Sequence, residues 1–262
     1  ENFTSYSTES RWRSVGVFAR INYSYDNKYL IELNGRYDGS SKFPTNQQWG
    51  FFPSVSAAWR VSGERWWNVN PNILSSLKIR GSWGELGNAN VGVYSFIEAF
   101  NIDNLSYVID GVSKPRITSI PSQIPDGLTW ETSRTIDGGI DVGFYNGKIN
   151  LTADYYVRNT LDMYTVGPTL PDTYGASAPK GNYADLVTRG FELSLSYDDS
   201  FKLGAHNLNV GFKATLADNR SFITRYNNPT KSLGDYYVGQ EIGEIWGYEF
   251  GGIFNSQELI DN

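Results

Sequence analysis

The chain has 262 residues, of which 15% are aromatic, 19% are charged and none is cysteine, and its net charge is −6. The aromatic load excludes a disordered chain, no run approaches the ~18 apolar residues of a membrane-spanning helix, and the missing cysteines exclude a disulfide framework or a thiolate metal site. The acidic balance argues against a nucleic-acid partner, and the length suits one large β domain or two ordinary ones.

The pattern along the chain is period two. Val15, Val17, Ala19, Ile21, Tyr23 and Tyr25 alternate with Gly16, Phe18, Arg20, Asn22 and Ser24. Asp26-Asn27 then forms a tight turn, and Tyr29, Ile31, Leu33, Gly35 and Tyr37 alternate with Leu30, Glu32, Asn34 and Arg36. Such alternation predicts strands, and the short turn makes them a hairpin. Pro53, Val55, Ala57, Trp59 and Val61 predict a third strand with Pro53 at its start, and Leu77, Ile79, Gly81 and Trp83 a fourth. Ile136, Gly138, Ile140, Val142 and Phe144 lead through the hairpin signal Asn146-Gly147 into Ile149, Leu151, Ala153, Tyr155 and Val157. Phe191, Leu193, Leu195 and Tyr197, then Leu208, Val210, Phe212, Ala214 and Leu216, complete a set of about eight strands.

The connections alternate in kind. Asp26-Asn27, the Ser62–Ser75 link (with a short helical turn expected near Glu64-Arg65-Trp66-Trp67), Asn146-Gly147 and a modest Asp198–His206 link lie at one end. Long segments over 38–48, 87–129, 159–186 and from Asp218 onward lie at the other. A soluble β-sandwich also has one apolar and one polar face. Three features favour a membrane barrel. Tyr and Trp band the two ends of the apolar face, as at membrane interfaces. Tyr29 and Tyr37 would stand roughly 20 Å apart along the membrane normal, close to a barrel's apolar height. Short turns at one end and long loops at the other match periplasmic and extracellular sides. The opposite face would line water with both signs of charge: Arg20, Glu32, Arg36, Arg60, Lys78, Arg80, Lys148, Asp154, Arg158, Glu192 and Lys213.

Several runs then carry a resemblance. They are Tyr29–Phe43, Trp49–Arg60, Leu77–Gly84 with Gly87-Asn88, Leu128–Glu131, Arg189–Leu193, and Gly239–Tyr248 with Gly252-Ile253-Phe254. In this order they resemble the SusC/RagA class of TonB-linked outer-membrane transporters of Bacteroidetes. The resemblance implies an all-β fold, part of a large antiparallel transmembrane barrel of about 22 strands. It implies import of oligosaccharide or peptide in the cell outer membrane, with a SusD-like surface lipoprotein and the TonB complex as partners. The signature residues it would supply are Gly239, Gly243, Trp246, Gly247, Tyr248 and Gly252. On this reading residues 1–262 are an internal piece of the barrel, without the plug domain, TonB box and closing strands.

Catalytic chemistry finds no support. His206 is the only histidine and no triad surrounds it. Asp198-Asp199 reads as a solvated turn, and the glycines of 239–247 as loop positions needing positive φ and close backbone approach rather than a phosphate loop. No enzyme activity, cofactor or metal is expected. The loop aromatics Tyr94, Phe96, Phe100, Tyr107, Tyr164, Tyr174, Tyr183, Tyr226, Tyr236 and Tyr237 would mostly pack the loops together. The sharper candidates for contact with substrate or lid are Tyr94, Phe96, Tyr107, Tyr174, Tyr183, Tyr236 and Tyr237, since aromatic faces stack on sugar rings and anchor interfaces. Two alternatives stay open: a soluble β-sandwich that binds carbohydrate through its loops, and a passive porin.

Overall fold

The computed structural model describes residues 7, 9–100, 102–104, 106–109, 111–118, 123–125, 127–204, 206–229 and 231–250. The strands are β1 (Ser14–Tyr25), β2 (Tyr29–Ser40), β3 (Trp49–Arg60), β4 (Ser76–Asn88), β5 (Ile102–Asn104), β6 (Arg116–Thr118), β7 (Glu131–Phe144), β8 (Ile149–Val166), β9 (Lys180–Leu203) and β10 (His206–Arg225). Eight of them form one sheet in the order β1-β2-β3-β4-β7-β8-β9-β10, with β1 and β10 at its edges. Every neighbouring pair is antiparallel. The hairpin β5–β6 is a separate two-stranded sheet inside the long connection before β7.

The register settles the faces. One continuous row runs Tyr25, Tyr29, Trp59, Ile79, Ile140, Ala153, Leu193, Leu216 across the sheet. The adjacent row runs Ser24, Leu30, Ala58, Arg80, Gly139, Asp154, Glu192, Ala217 on the other side. Every residue read from the alternation as apolar therefore shares one face within the paired strands. That face is open: Ile21 is 63% exposed and Leu216 59%. No second sheet packs on it among the described residues, so the sandwich alternative is corrected. A sandwich buries this face between two layers.

Turn chemistry explains the short end. Asp26 and Asn27 both take φ of 51°, the left-handed pair of a type I′ hairpin turn. The second connection runs Tyr145–Lys148, with Tyr145, Asn146 and Gly147 all at positive φ. A 3-10 turn over Val61–Gly63 precedes Glu64-Arg65-Trp66-Trp67.

Several boundaries move. Pro53 lies inside β3, not at its start, and the ladder to β4 begins one residue later at Ser54. A proline without an N–H fits where pairing on one side has ended. Asp198-Asp199 lies within β9 rather than in a turn, and the chain reverses at Gly204, φ 63°. Asp199 is satisfied there by Lys148 Nζ at 2.7 Å and by the Tyr197 hydroxyl at 3.2 Å. At the other end β8, β9 and β10 run well beyond the apolar band, narrowing the 159–186 connection to residues 167–179. A bulge at Thr160–Met163 hides this extension, because it breaks the alternation. Asp162 sits in it at φ 54°, its N–H donated to Asp185 at 2.8 Å and its carbonyl accepting from Asn182 at 2.6 Å.

Candidate functional site: a charged inner wall and a packed loop rim

Aromatics frame both ends of the apolar face. At the short-turn end Tyr29 stacks on Trp59 with centroids 6.5 Å apart, and Trp66 meets Trp59 edge-on. Glu64 accepts from the Tyr29 hydroxyl at 2.7 Å and from Trp59 Nε1 at 3.0 Å. These two donors hold its carboxyl below the usual glutamate range. At the other end Tyr37 stacks on Trp49 at 5.0 Å.

The polar face carries the larger hollows. One of about 630 Å³ is lined by Asn22, Ser24, Glu32, Lys78, Arg80 and Asp137 among others, one of about 490 Å³ by Asn150, Thr152, Ser194, Ser196 and Lys213, and a smaller one of about 300 Å³ lies along Asn34, Arg36, Ser54 and Phe52. Charges on this wall pair across strands. Arg20 donates to Asn34 at 2.7 Å, and Asn34 donates to Glu32 at 2.8 Å. Lys78 meets Asp141 at 3.2 Å. Arg80 reaches Asp154 at 2.6 Å, Asp141 at 3.4 Å and Asp137 at 3.6 Å. The reach to Asp154 passes over Gly139, which is registered with both Arg80 and Asp154. A Cβ on Gly139 would lie 2.1 Å from Asp154 Oδ1 and 2.9 Å from Arg80 Cζ. Arg158 lies over the Tyr156 ring at 5.4 Å. Arg60, Glu192 and Lys213 make no ion pair among the described residues. Such a wall holds fixed charge of both signs against water.

Above the wall the loops have a core of their own. Phe43, Val91 and Leu128 are buried, with Ala89, Phe96, Trp130 and Tyr164 packed against them. Phe52, 6% exposed on the inner face, meets Trp130 edge-on at 5.4 Å. Gly87 makes room for it, since a Cβ there would sit 1.9 Å from the Phe52 ring. The Asn182 side chain pairs with both the N–H and the carbonyl of Thr129, at 2.9 and 3.0 Å. A second cluster holds Ala184, Ile223 and Tyr226, with Met163, Tyr183, Leu186 and Tyr236 against it. Arg225 clamps the base of that cluster, bonding Asp185 through two nitrogens and Asp162 at 2.8 Å. The pattern of the sequence did not single out Asn182, Asp162, Asp185 or Arg225, whereas Phe52, in the Trp49–Arg60 run, and Trp130, in the Leu128–Glu131 run, carried a signal.

The candidate aromatics therefore divide. Phe96, Tyr183 and Tyr236 pack into the two clusters. The Tyr94 hydroxyl accepts from the Arg11 N–H at 3.3 Å and donates to the Arg11 carbonyl at 3.1 Å. Tyr237 donates to Glu244, as does Trp246 Nε1 at 2.9 Å. Tyr107 is 64% exposed at the tip beyond β5, and Tyr174 is exposed while donating to Gln123 at 3.1 Å. In the signature, Gly239 and Gly243 take φ of 93° and 96° with open space around them, so conformation rather than close approach asks for glycine. The segment lies along the upper edge of β10: Gly239 N donates to Ile223 O at 2.8 Å and Ile242 N to Ser221 O at 2.8 Å. Gly247 has open space around it and Tyr248 is fully exposed, while Gly252 lies outside the described residues.

The comparisons with known proteins agree with this architecture. The family model "TonB dependent receptor-like, beta-barrel" matches residues 1–255. TonB-dependent receptor P3 of Formosa agariphila is 30% identical over 257 residues, which is 92% of this chain and 24% of that protein. TonB-dependent receptor SusC of Bacteroides thetaiotaomicron is 32% identical over 194 residues, 74% of this chain and 19% of that protein. The structure of the RagAB peptide transporter superposes with a TM-score of 0.69 at 26% identity, over 82% of this chain and 23% of that one. The chain thus spans about a quarter or less of the relatives it matches. With an open apolar face, a charged inner wall and a family model matched over nearly its whole length, this chain belongs to the TonB-dependent receptor β-barrel family.

Proposed function

We propose that this chain forms part of the barrel wall and outer rim of an outer-membrane importer for oligosaccharide or peptide. The single observation that carries the reading is the inverted burial. The apolar residues of the alternation face outward, and the Lys78–Asp141 and Arg80–Asp154 ion pairs line the opposite face. That arrangement suits lipid outside and water inside. The short-turn end is then periplasmic, and the clusters around Phe43 and Tyr226 are extracellular. SusC and the RagAB peptide transporter are the relatives that motivate a nutrient cargo. On the same ground we assign a SusD-like lipoprotein as lid and the TonB complex as energy source, acting through other parts of the protein.

The residues here bind and shape; they do not catalyse. The paired wall gives a solute a hydrated path of balanced charge. Tyr107 and Tyr174 are the aromatics best placed to meet substrate or lid, whereas Phe96, Tyr183 and Tyr236 hold the loops. Uptake of labelled oligosaccharides and peptides by cells with the full-length protein, with and without the energised TonB system, tests the reading. Uptake that ignores loss of TonB indicates a passive pore and overturns it.

A further inference from the structure

Arg189 on β9 and Arg220 on β10 are registered directly opposite each other. They share the outward face with Phe191, Leu193 and Leu216, one position beyond the end of the apolar band. Like charges in such a pair repel. By contrast, Arg80 on the inner wall is ringed by three carboxylates and Arg225 at the rim by two. Arg189 has no carboxylate at ion-pair distance among the described residues. Arg220 has only Glu241, at 3.9 Å, with side chains 69% and 41% exposed. The two arginines line one hollow of about 220 Å³ together with Tyr155, Phe191, Asp218 and Phe222.

We propose that this notch binds the phosphate of a phosphorylated glycolipid in the outer leaflet. The proposal rests on the outer-membrane reading above. Two guanidiniums side by side suit one phosphate, whose oxygens bond both and cancel their repulsion. Asp218 lies one pair nearer the band, beside Phe191, and accepts from a sugar hydroxyl or amide next to that phosphate. Phe191 and the aliphatic face continuing from it receive the acyl chains. The hollow holds a phosphosugar head, not a whole lipid. Asp218 is what favours a glycolipid over a phosphodiester lipid with no sugar.

The test uses the full-length protein in nanodiscs of a neutral phospholipid. The discs are doped with lipid A, with dephosphorylated lipid A or with phosphatidylglycerol, and retained lipid is read by native mass spectrometry. Lipid A is expected to be retained over both others. The double variant R189Q/R220Q is expected to lower that retention about tenfold, as loss of charge-assisted bonds implies. K148Q, on the periplasmic side, is expected to leave it unchanged, and inorganic phosphate alone is expected not to displace the lipid. Equal retention by wild type and double variant overturns the site. Equal retention of phosphatidylglycerol, or displacement by inorganic phosphate, overturns the choice of glycolipid. A full-length protein that stays soluble without detergent and enters no disc refutes the membrane reading instead, so the two failures are distinct.

Discussion

Replacing Gly139 by alanine is expected to destabilise the barrel, whereas the same change at neighbouring Gly138 is not. The added Cβ at Gly139 falls 2.1 Å from Asp154 Oδ1, 2.9 Å from Arg80 Cζ and 3.1 Å from the Ala153 carbonyl. The side chains move, the backbone carbonyl does not, and the 2.6 Å bond from Arg80 to Asp154 is lost. A charge-assisted bond of this kind contributes roughly 1.5–3 kcal/mol. Alanine in a strand returns roughly 0.5–1 kcal/mol of backbone entropy relative to glycine. The net cost is about 0.5–2.5 kcal/mol by that difference. At Gly138 a Cβ meets nothing within 4 Å, so only the entropy gain of roughly 0.5–1 kcal/mol remains. Urea unfolding of the full-length protein in detergent, followed by tryptophan fluorescence, measures both. The Gly139→Ala and Asp154→Ala changes should be strongly non-additive, because each removes the same bond. Equal stability of the Gly138 and Gly139 variants, or additive losses in the cycle, would refute the reasoning.

Lowering the pH tests the clamp at the short-turn end. Glu64 is held below its ordinary value by bonds from Tyr29 and Trp59, so its contribution is present above the unfolded value and is lost as pH falls through the depressed folded one. Trp59 fluorescence should therefore change only below the ordinary glutamate range, and E64Q should abolish that step. Gly87→Ala drives a methyl into the Phe52 ring at 1.9 Å; overpacking of this kind costs roughly 1–3 kcal/mol and should appear as faster proteolysis of the 89–130 loop. Tyr226→Ala empties a cluster centred on a residue 8% exposed and should cost roughly 3–5 kcal/mol, as large-to-small core changes do. Tyr107→Ala should change stability by less than about 0.5 kcal/mol while lowering uptake or lid binding; unchanged uptake and lid binding would remove Tyr107 from the candidate contacts.

Much of the sheet was legible because alternation is a local property. Tyr29, Ile31, Leu33, Gly35 and Tyr37 must share a face whatever they pair with, and the register keeps them together. The asymmetry of connections was legible too, from turn residues such as Asp26-Asn27. Alternation lost its contrast above the apolar band. There β8, β9 and β10 continue past the apolar band, Ala184 and Ile223 are buried in a loop cluster that alternation does not foretell, and the bulge at Asp162 interrupts the period. The reading of Asp198-Asp199 as a turn went wrong for a related reason. Turn-forming residues also sit in strands when partners such as Lys148 and Tyr197 reach them from the side.

By itself the sequence determined which residues of each strand share a side, where the aromatic bands fall and which end carries the long loops. The tertiary structure decided what stands beside what. It laid Arg80 across Gly139 to Asp154, set Phe52 under Trp130, and placed Arg189 against Arg220 on the outer face. Period two is written into each strand separately, since successive side chains point to opposite sides of any pleated backbone. Neighbours across strands depend on register, and register is fixed only when the whole sheet pairs.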